Sequence, residues 1–189
     1  MSTPLATTPA PTLLFTPYHL LAMADIIGLH ITEVPKGKTA NLYVWCRPDG
    51  GIIYIGKSDT PSRVANEIRW VDNARSQISD HTFAAFCTVM IRQQAAPIAL
   101  YYDAEKSNLN KAKDLSTREE WDGDMVDQLL AYQGQLTVSE VEKILIRMPL
   151  ATGNFTANST DTGLWGNRLS RFWDHLAQLA AIEAGYRDF

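Results

Sequence analysis

Two short runs rich in β-branched and aromatic residues, Asn41–Arg47 and Gly51–Gly56, lie on either side of a turn sequence. The Pro48-Asp49-Gly50-Gly51 stretch that joins them has the residue types that tight turns use, because proline fixes φ and glycine accepts positive φ. Strands joined this closely along the chain pair antiparallel. The sequence therefore predicts a β-hairpin, which brings side chains from the two runs together on one sheet.

Helical patterns flank this hairpin on both sides. The first predicted helix begins at Thr16-Pro17. Four more helices are predicted, over Asp59–Val71, Arg118–Tyr132, Thr137–Met148 and Asn167–Ala184. Two more strands are predicted at Thr82–Ile91 and Ile98–Tyr102, and a polar loop with weak helical tendency at Asp103–Thr117. The expected fold class is α/β (α+β), with a small antiparallel sheet of three or more strands flanked by helices and with helical extensions at the N- and C-terminal ends.

The composition is that of a globular protein, and the charge is unevenly distributed. The 189 residues are 46% hydrophobic and carry a net charge of −4. No apolar run approaches the roughly 20 residues that a membrane-spanning helix needs, so we expect no membrane partner. Residues 41–118 carry ten Lys/Arg against eight Asp/Glu, and residues 119–189 five against eleven. A nucleic-acid site in this chain is therefore expected to be a local basic surface.

The cysteines and the N-terminus suggest a reducing compartment. Cys46 and Cys87 both lie among apolar residues, and two cysteines make neither a disulfide framework nor a complete metal site. They are predicted to be small buried hydrophobes in a cytoplasm. Residues 1–15 are low in complexity, which predicts a mobile segment, and Met1–Pro11 lacks the pattern of a secretory signal.

Several residues whose side chains could act in catalysis or ligand binding lie on or near the predicted hairpin. Tyr43 and Tyr54 fall on its two strands, and Gly56 ends the second strand, where it would let a ligand approach the backbone. Arg63 follows on the first turns of the next predicted helix. Glu142 sits one residue off the apolar stripe of its own helix, at the helix edge.

The order and spacing of these residues resemble the GIY-YIG nuclease superfamily over about residues 40–156. Asn41-Leu42-Tyr43 is followed by Tyr54-Ile55-Gly56, eleven positions after the first tyrosine, and Arg63 comes nine positions beyond Tyr54. Glu142-Lys143-Ile144-Leu145-Ile146 is similar to the metal-binding helix of that family, and Asn154, twelve residues after the glutamate, to the asparagine that closes the module. Tyr-Ile-Gly alone is a weak signal, but five such elements in order are a strong one.

The chain also departs from the family pattern. Asn41-Leu42 replaces the first Gly-Ile, and Glu67 stands where many restriction-type members have a histidine one helical turn after the arginine. Residues 92–118 are interpreted as an insertion. The predicted organisation is a flexible arm plus a helix at 1–40, the nuclease-like module at 41–156 and a helical extension at 157–189.

The resemblance implies a catalytic set for phosphodiester hydrolysis. Tyr43 would act as general base on the attacking water, Tyr54 would position the water or the phosphate, and Arg63 would offer its guanidinium fork to the phosphate. Glu142 would be the one protein ligand of a Mg²⁺ ion, for which Mn²⁺ can substitute. Asn154 would hold the active-site loop by amide hydrogen bonds.

A tyrosine that acts as general base near neutral pH needs a lowered pKa, because a free phenol has a pKa of about 10. Lys57, the field of the metal and Tyr54 are the predicted causes of a lowered pKa at Tyr43. Lys57 and Glu67 are therefore ranked second as site residues.

The resemblance predicts DNA as the partner. Lys106, Lys111, Lys113 and Arg118 are candidate contacts to the DNA backbone. No separate recognition domain is evident, which favours a restriction-type, phage or mobile-element endonuclease acting in the cytoplasm of a bacterial or phage-infected cell. Double-strand cutting with one site per chain would favour a homodimer or sequential nicking.

Structural roles remain open for each of these residues. Tyr43 and Tyr54 could be cross-strand aromatics, Arg63 and Glu67 a surface ion pair at i, i+4, and Asn154 a turn residue. Glu142 could belong to a solvated helix edge. Two other functions also stay open at this stage: a catalytically silent nucleic-acid-binding or regulatory protein on the same fold, and a nuclease acting on RNA or branched DNA.

Overall fold

The computed structural model describes residues 14–58, 60–76, 84–118, 120–154, 156–158 and 168–186. In chain order, its elements are α1 (Pro17–Ile26), β1 (Ile31–Glu33), β2 (Leu42–Cys46), β3 (Ile52–Lys57), α2 (Arg63–Ser76), α3 (Ala84–Arg92), β4 (Ala96–Tyr102), α4 (Asn110–Ser116), α5 (Gly123–Ala131), α6 (Val138–Ala151) and α7 (Arg168–Glu183). The predicted fold class is confirmed, because helices flank a small antiparallel sheet.

The sheet has four antiparallel strands in the order β1-β4-β2-β3. The predicted hairpin is formed by β2 and β3, in which Tyr43 pairs with Gly56 and Trp45 with Tyr54. Every residue of β2 is buried, since this strand lies between β4 and β3. The two tyrosines of the hairpin therefore lie on an interior and an outer strand, on the same face of the sheet.

Strand alternation divides the core into two layers. On β2, Leu42 and Val44 point to one face, where they join a large apolar cluster with residues of α1, α4, α5, α6 and α7. Tyr43 and Trp45 point to the other face and pack in a smaller cluster with residues of α2 and α3. The sheet thus separates a five-helix layer from a two-helix layer, and the tyrosines of the hairpin belong to the latter.

The helix that carries Glu142 starts as the sequence predicts. The Thr137 hydroxyl accepts a hydrogen bond from the Glu140 backbone N–H, and the Glu140 carboxylate accepts one from the Thr137 backbone N–H, which completes a capping box. Val141, Ile144 and other apolar residues of α6 are fully buried against the sheet and α7. Pro149 does not end α6 as predicted but lies in its last turn, and the helix continues to Ala151.

The predicted strand at Thr82–Ile91 is wrong, because residues 84–92 form α3. Cys87 and Met90 are buried three residues apart, a helical spacing that faces the sheet. The polar stretch predicted as a loop contains a short helix, α4. Of the segment 1–15 that is predicted to be mobile, residues 1–13 lie outside the described residues, whereas Phe15 is buried and its carbonyl accepts a hydrogen bond from the Ile52 backbone N–H.

The segments predicted to be additions take part in the sheet. Residues 96–102, within the predicted insertion 92–118, form β4 in the sheet interior, and β1 from the predicted N-terminal extension pairs with β4. Ala157, at the start of the predicted C-terminal extension, donates its backbone N–H to the Ile53 carbonyl on β3. These three segments therefore belong to, or bond with, the same four-stranded sheet.

The expected burial of both cysteines is confirmed: Cys46 and Cys87 are buried and not disulfide-bonded. Among the residues described, no helix combines the length and apolar character required to cross a bilayer.

Candidate active site

Tyr43 is the centre of the candidate site. Its side chain points from β2 into the two-helix layer, and only 1% of the residue is exposed. The hydroxyl donates a hydrogen bond of 2.5 Å to Oε1 of Glu67 on α2. Tyr43 is thus held as a buried donor to a carboxylate.

Gly56 makes room for the ring of Tyr43. A Cβ built on Gly56 would lie 2.4 Å from both the Oη and the Cζ of Tyr43, which is far inside van der Waals contact. The two residues are register partners on β2 and β3. The space beside Gly56 that was predicted to admit a ligand is occupied by the Tyr43 phenol.

Glu67 is the most highly connected residue of the site. It is 2% exposed, and its carboxylate accepts three hydrogen bonds from three side chains. Oε1 receives Tyr43 Oη and, at 3.0 Å, Nε of Arg63, while Oε2 receives the indole Nε1 of Trp45 at 3.1 Å. A buried carboxylate is tolerated here because charged and neutral donors satisfy both oxygens.

The expectation of a lowered pKa at Tyr43 is wrong for the protein's own groups. Burial raises the pKa of Tyr43 far above its ordinary value, and the hydrogen bond to the Glu67 carboxylate and the charges of Glu67 and Tyr54 raise it further. Arg63 opposes these effects only in part. Tyr43 is therefore a protonated phenol at neutral pH, and any role as a base requires that its own proton leave as it accepts another.

Arg63 lies beside this phenol at the first residue of α2. Its Nε contacts Glu67 at i, i+4, and its guanidinium carbon lies 5.4 Å from the ring centre of Trp70. The side chain is 41% exposed. Its guanidinium also interacts with the Tyr43 hydroxyl, which raises the pKa of Arg63. The guanidinium is thus held by Glu67 through Nε and lies beside the Tyr43 phenol, while the side chain as a whole stays partly exposed.

Tyr54 lies next to Tyr43 with their ring centres 6.3 Å apart. It is half-buried on β3, opposite Trp45, and its ring makes an edge contact with Phe86 of α3 at 5.2 Å. The structure therefore brings Tyr43, Tyr54, Arg63 and Glu67 together in one cluster on one face of the sheet.

Glu142 lies close to this cluster but reaches it from another direction. Its Oε1 accepts a hydrogen bond of 2.9 Å from the backbone N–H of Lys57, the residue after Gly56. Tyr43 Oη lies beside the Cα of Gly56, and the Lys57 nitrogen that donates to Glu142 is two bonds from that Cα. Adding these short steps places the Tyr43 hydroxyl within about 10 Å of the Glu142 carboxylate. The two predicted groups thus lie at the same end of the sheet.

The amide of Asn154 makes local contacts, and its predicted role in holding the active-site loop stays a prediction. Its side chain donates to the hydroxyl of Thr152 at 3.0 Å, in the turn after α6. Asn158 instead holds the site strand: its Oδ1 accepts from the backbone N–H of Ile55, and its Nδ2 donates to the Ile55 carbonyl. Asn158 is 4% exposed, so this amide replaces a neighbouring strand along β3.

The four basic residues predicted to contact DNA lie elsewhere. Each has a partner within the protein: Lys106 with Asp103, Lys111 with Asp25, Lys113 with the Tyr132 carbonyl, and Arg118 with Asp114. They lie on α4 or next to it, and α4 packs in the five-helix layer, across the sheet from Tyr43. Their contact with DNA stays a prediction, and two of them, Lys111 and Lys113, join α4 to α1 and to the end of α5.

The described residues contain no group of three or more His, Cys, Asp or Glu side chains that could hold a metal ion. Mg²⁺ is commonly bound by one or two carboxylates together with water and substrate phosphate. An ionised carboxylate has about four lone-pair sites, so Glu142 can accept the Lys57 N–H and still coordinate a cation. The residues therefore fit a Mg²⁺ ion that binds together with its substrate.

Two residues of the site, Trp45 and Asn158, were not predicted from the sequence. Trp45 was seen only as a strand residue, although its position two residues after Tyr43 places it on the same face. Asn158 sits in a polar stretch with several candidate asparagines, and spacing alone selected Asn154. The alternation of β2 could have identified Trp45, whereas nothing local distinguishes Asn158.

Comparisons with family models, with curated proteins and with solved structures found no match to this chain.

Proposed function

We propose that this protein is a metal-dependent nuclease that hydrolyses phosphodiester bonds, with DNA as its substrate. The observation that supports this most is the position of Arg63: its side chain is 41% exposed and lies beside the Tyr43 hydroxyl, with Nε held by Glu67. A guanidinium fork binds phosphate oxygens well. Glu142 accepts from the Lys57 N–H, next to the Gly56 that underlies the Tyr43 phenol, and in this proposal the same phosphate contacts Arg63 and a metal ion on Glu142.

In this proposal the proton path runs through two residues. As a water oxygen attacks phosphorus, Tyr43 Oη takes a proton from the water and passes its own proton to Glu67 Oε1, 2.5 Å away. The phosphorus–oxygen bond to the leaving group breaks, the leaving oxygen takes a proton from solvent water, and Glu67 ends protonated and returns its proton to solvent after the reaction. This path removes the need for a free phenolate, which the raised pKa of Tyr43 disfavours.

Arg63 and Glu142 would stabilise charge in the same reaction. Arg63 would orient the phosphate and stabilise the negative charge that develops on its oxygens. A Mg²⁺ ion, or Mn²⁺ in its place, held by Glu142 would supply charge neutralisation on the phosphate. The residues of β3 and α2 would hold these groups in place before the substrate binds.

The biological setting is part of the same proposal. The chain is proposed to be a restriction-type, phage or mobile-element endonuclease of the cytoplasm, and double-strand cutting would involve two copies of the chain or two successive nicks. The contacts of the α4 cations within the protein favour a DNA path on the open side of Arg63 rather than along α4.

Cleavage of a plasmid and of branched DNA with Mg²⁺, with Mn²⁺ and with EDTA tests this function. We expect metal-dependent cleavage that Glu142→Gln abolishes while DNA binding survives. Glutamine retains an acceptor for the Lys57 N–H but removes the charge. Glu183→Gln, at the exposed end of α7, is the matched control and should cleave at the wild-type rate.

The alternative of a catalytically silent nucleic-acid-binding protein is favoured by one observation, the burial of Tyr43. A protein that binds duplex DNA, branched DNA and RNA without cutting any of them in the presence of either metal would support this alternative and contradict the nuclease. Placing the three substrates in one competition assay also separates a DNA nuclease from one that prefers RNA or branched DNA.

A further inference from the structure

The indole of Trp45 has a role in the site that packing alone does not explain. Trp45 is 1% exposed, and its ring contacts Phe86 edge-on. A buried indole N–H needs an acceptor, and the acceptor here is Oε2 of Glu67 at 3.1 Å. An aromatic residue of the central strand is therefore joined directly to the carboxylate of the candidate site.

The two oxygens of Glu67 are divided between different donors. Oε1 accepts from Tyr43 Oη and from Nε of Arg63, while Oε2 accepts from Trp45. Arg63 consequently contacts Glu67 through Nε and Oε1. An arginine beside a carboxylate frequently forms two parallel hydrogen bonds, one to each oxygen. At this site Oε2 accepts the indole N–H, and the hydrogen bond that Arg63 makes to Glu67 goes to Oε1.

We propose that Trp45 is a positioning residue: by engaging Oε2 of Glu67, its indole N–H keeps Arg63 from pairing with both carboxylate oxygens and so keeps the terminal nitrogens of Arg63 available to a substrate phosphate. Without the indole N–H, Oε2 loses its donor inside a buried environment. The nearest cationic donor that can replace it is the Arg63 guanidinium, already bonded to the same carboxylate.

The consequence for the substrate rests on the proposed function, whereas the consequence for Arg63 does not. A guanidinium that uses two nitrogens on Glu67 has fewer left for a phosphate. Because Arg63 would act mainly on the charge of the transition state, its withdrawal would lower the rate of the chemical step more than the affinity for DNA.

Crystal structures of two variants test the position of Arg63 without reference to activity. Trp45→Phe removes the N–H and part of the ring, and replacement of Trp45 by β-(3-benzothienyl)-alanine removes the N–H but keeps the ring shape. In both variants we expect a terminal nitrogen of Arg63 within hydrogen-bond distance of Glu67 Oε2. If Arg63 still contacts Glu67 through Nε alone, the proposal is wrong.

Cleavage kinetics test the consequence for the substrate. In both variants we expect kcat to fall by about tenfold or more, with KM changed by less than about threefold. Trp173→Phe, which alters a buried tryptophan of the five-helix layer, is the control for lost packing and should leave both constants near their wild-type values. An unchanged kcat in the benzothienyl variant would overturn the positioning role.

Different results would contradict the role of Trp45 and the nuclease activity. A wild-type protein that cleaves no substrate contradicts the nuclease, yet the variant structures still decide whether Trp45 controls the pairing of Arg63 with Glu67. Cleavage by the wild type, together with an unmoved Arg63 in the variants, contradicts the role of Trp45 alone.

Discussion

The phenol of Tyr43 occupies the space in which any side chain at Gly56 would lie, so that a Cβ there would come within 2.4 Å of the Tyr43 hydroxyl. The glycine of the Tyr54-Ile55-Gly56 run is therefore required by a neighbour in the sheet. The same phenol donates its hydrogen bond to Glu67.

Gly56→Ala should displace Tyr43 and destabilise the protein. Because both residues are buried, we expect the free energy of unfolding to fall by about 1–3 kcal/mol, measured by urea denaturation. The variant should also lose most of its nuclease activity at temperatures where it remains folded. Gly123→Ala is the matched control, since a Cβ at Gly123 meets no atom within 4 Å. An equal loss of stability in the two variants would contradict the contact.

Arg63→Lys should separate charge from geometry at the phosphate. Lysine keeps the positive charge but lacks the planar fork, so we expect kcat to fall by about 10²-fold with little change in DNA affinity. The measurements are single-turnover cleavage and DNA binding in a metal-free buffer. Arg69→Lys, on the same helix with its partner Asn66, is the control and should be nearly neutral. Equal rates in the two variants would show that Arg63 does not act on the phosphate.

Asn158→Ala should destabilise the protein more than Asn154→Ala. The first variant leaves both the N–H and the carbonyl of Ile55 without their partner in a buried place, which we expect to cost about 1–3 kcal/mol. The second variant removes a contact to Thr152 in a half-buried turn and should cost less than about 1 kcal/mol. Urea denaturation of both variants gives the comparison, and the reverse ranking would contradict the role assigned to Asn158.

His175 should make the stability of the five-helix layer depend on pH. Burial lowers the pKa of His175, which is 4% exposed and hydrogen-bonded to the hydroxyl of Ser116. The unfolded chain therefore binds a proton more readily than the folded one, and stability is lost as the pH falls below about 6.5. We expect the free energy of unfolding to be lower at pH 5.5 than at pH 7.5.

A variant without this titration provides the control. His175→Gln can still hydrogen-bond to Ser116 but carries no charge in this range, so the difference in stability between the two pH values should shrink. A difference as large as that of the wild type would mean that other groups cause the pH dependence.

The sequence was sufficient for the hairpin and for most helices because their signals are local. The turn between residues 47 and 51 and the capping box at Thr137 need only neighbouring residues to form, and both are present. The strand predicted at Thr82–Ile91 is wrong because its apolar residues fit both the two-residue repeat of a strand and the 3.6-residue repeat of a helix. Packing of Cys87 and Met90 against the sheet face that carries Trp45 favours the helix.

The sequence predicted most residues of the candidate site but not the hydrogen bonds between them. Spacing along the hairpin placed Tyr43 beside Tyr54, and one helical turn placed Arg63 beside Glu67. That Glu67 is buried beneath the hairpin depends on how α2 packs on the sheet, which no local pattern determines. The pairing of Asn158 with Ile55 spans 103 residues and is likewise a product of tertiary structure.

The outer side of β3 is occupied along its length. Ile52 donates to the Phe15 carbonyl, Ile53 accepts from Ala157, Ile55 pairs with Asn158, and Lys57 donates to Glu142. An outermost strand with unused backbone groups invites another polypeptide to add itself to the sheet. These contacts block strand addition at β3, so two copies of this chain that act together on a duplex do not join through that edge of the sheet.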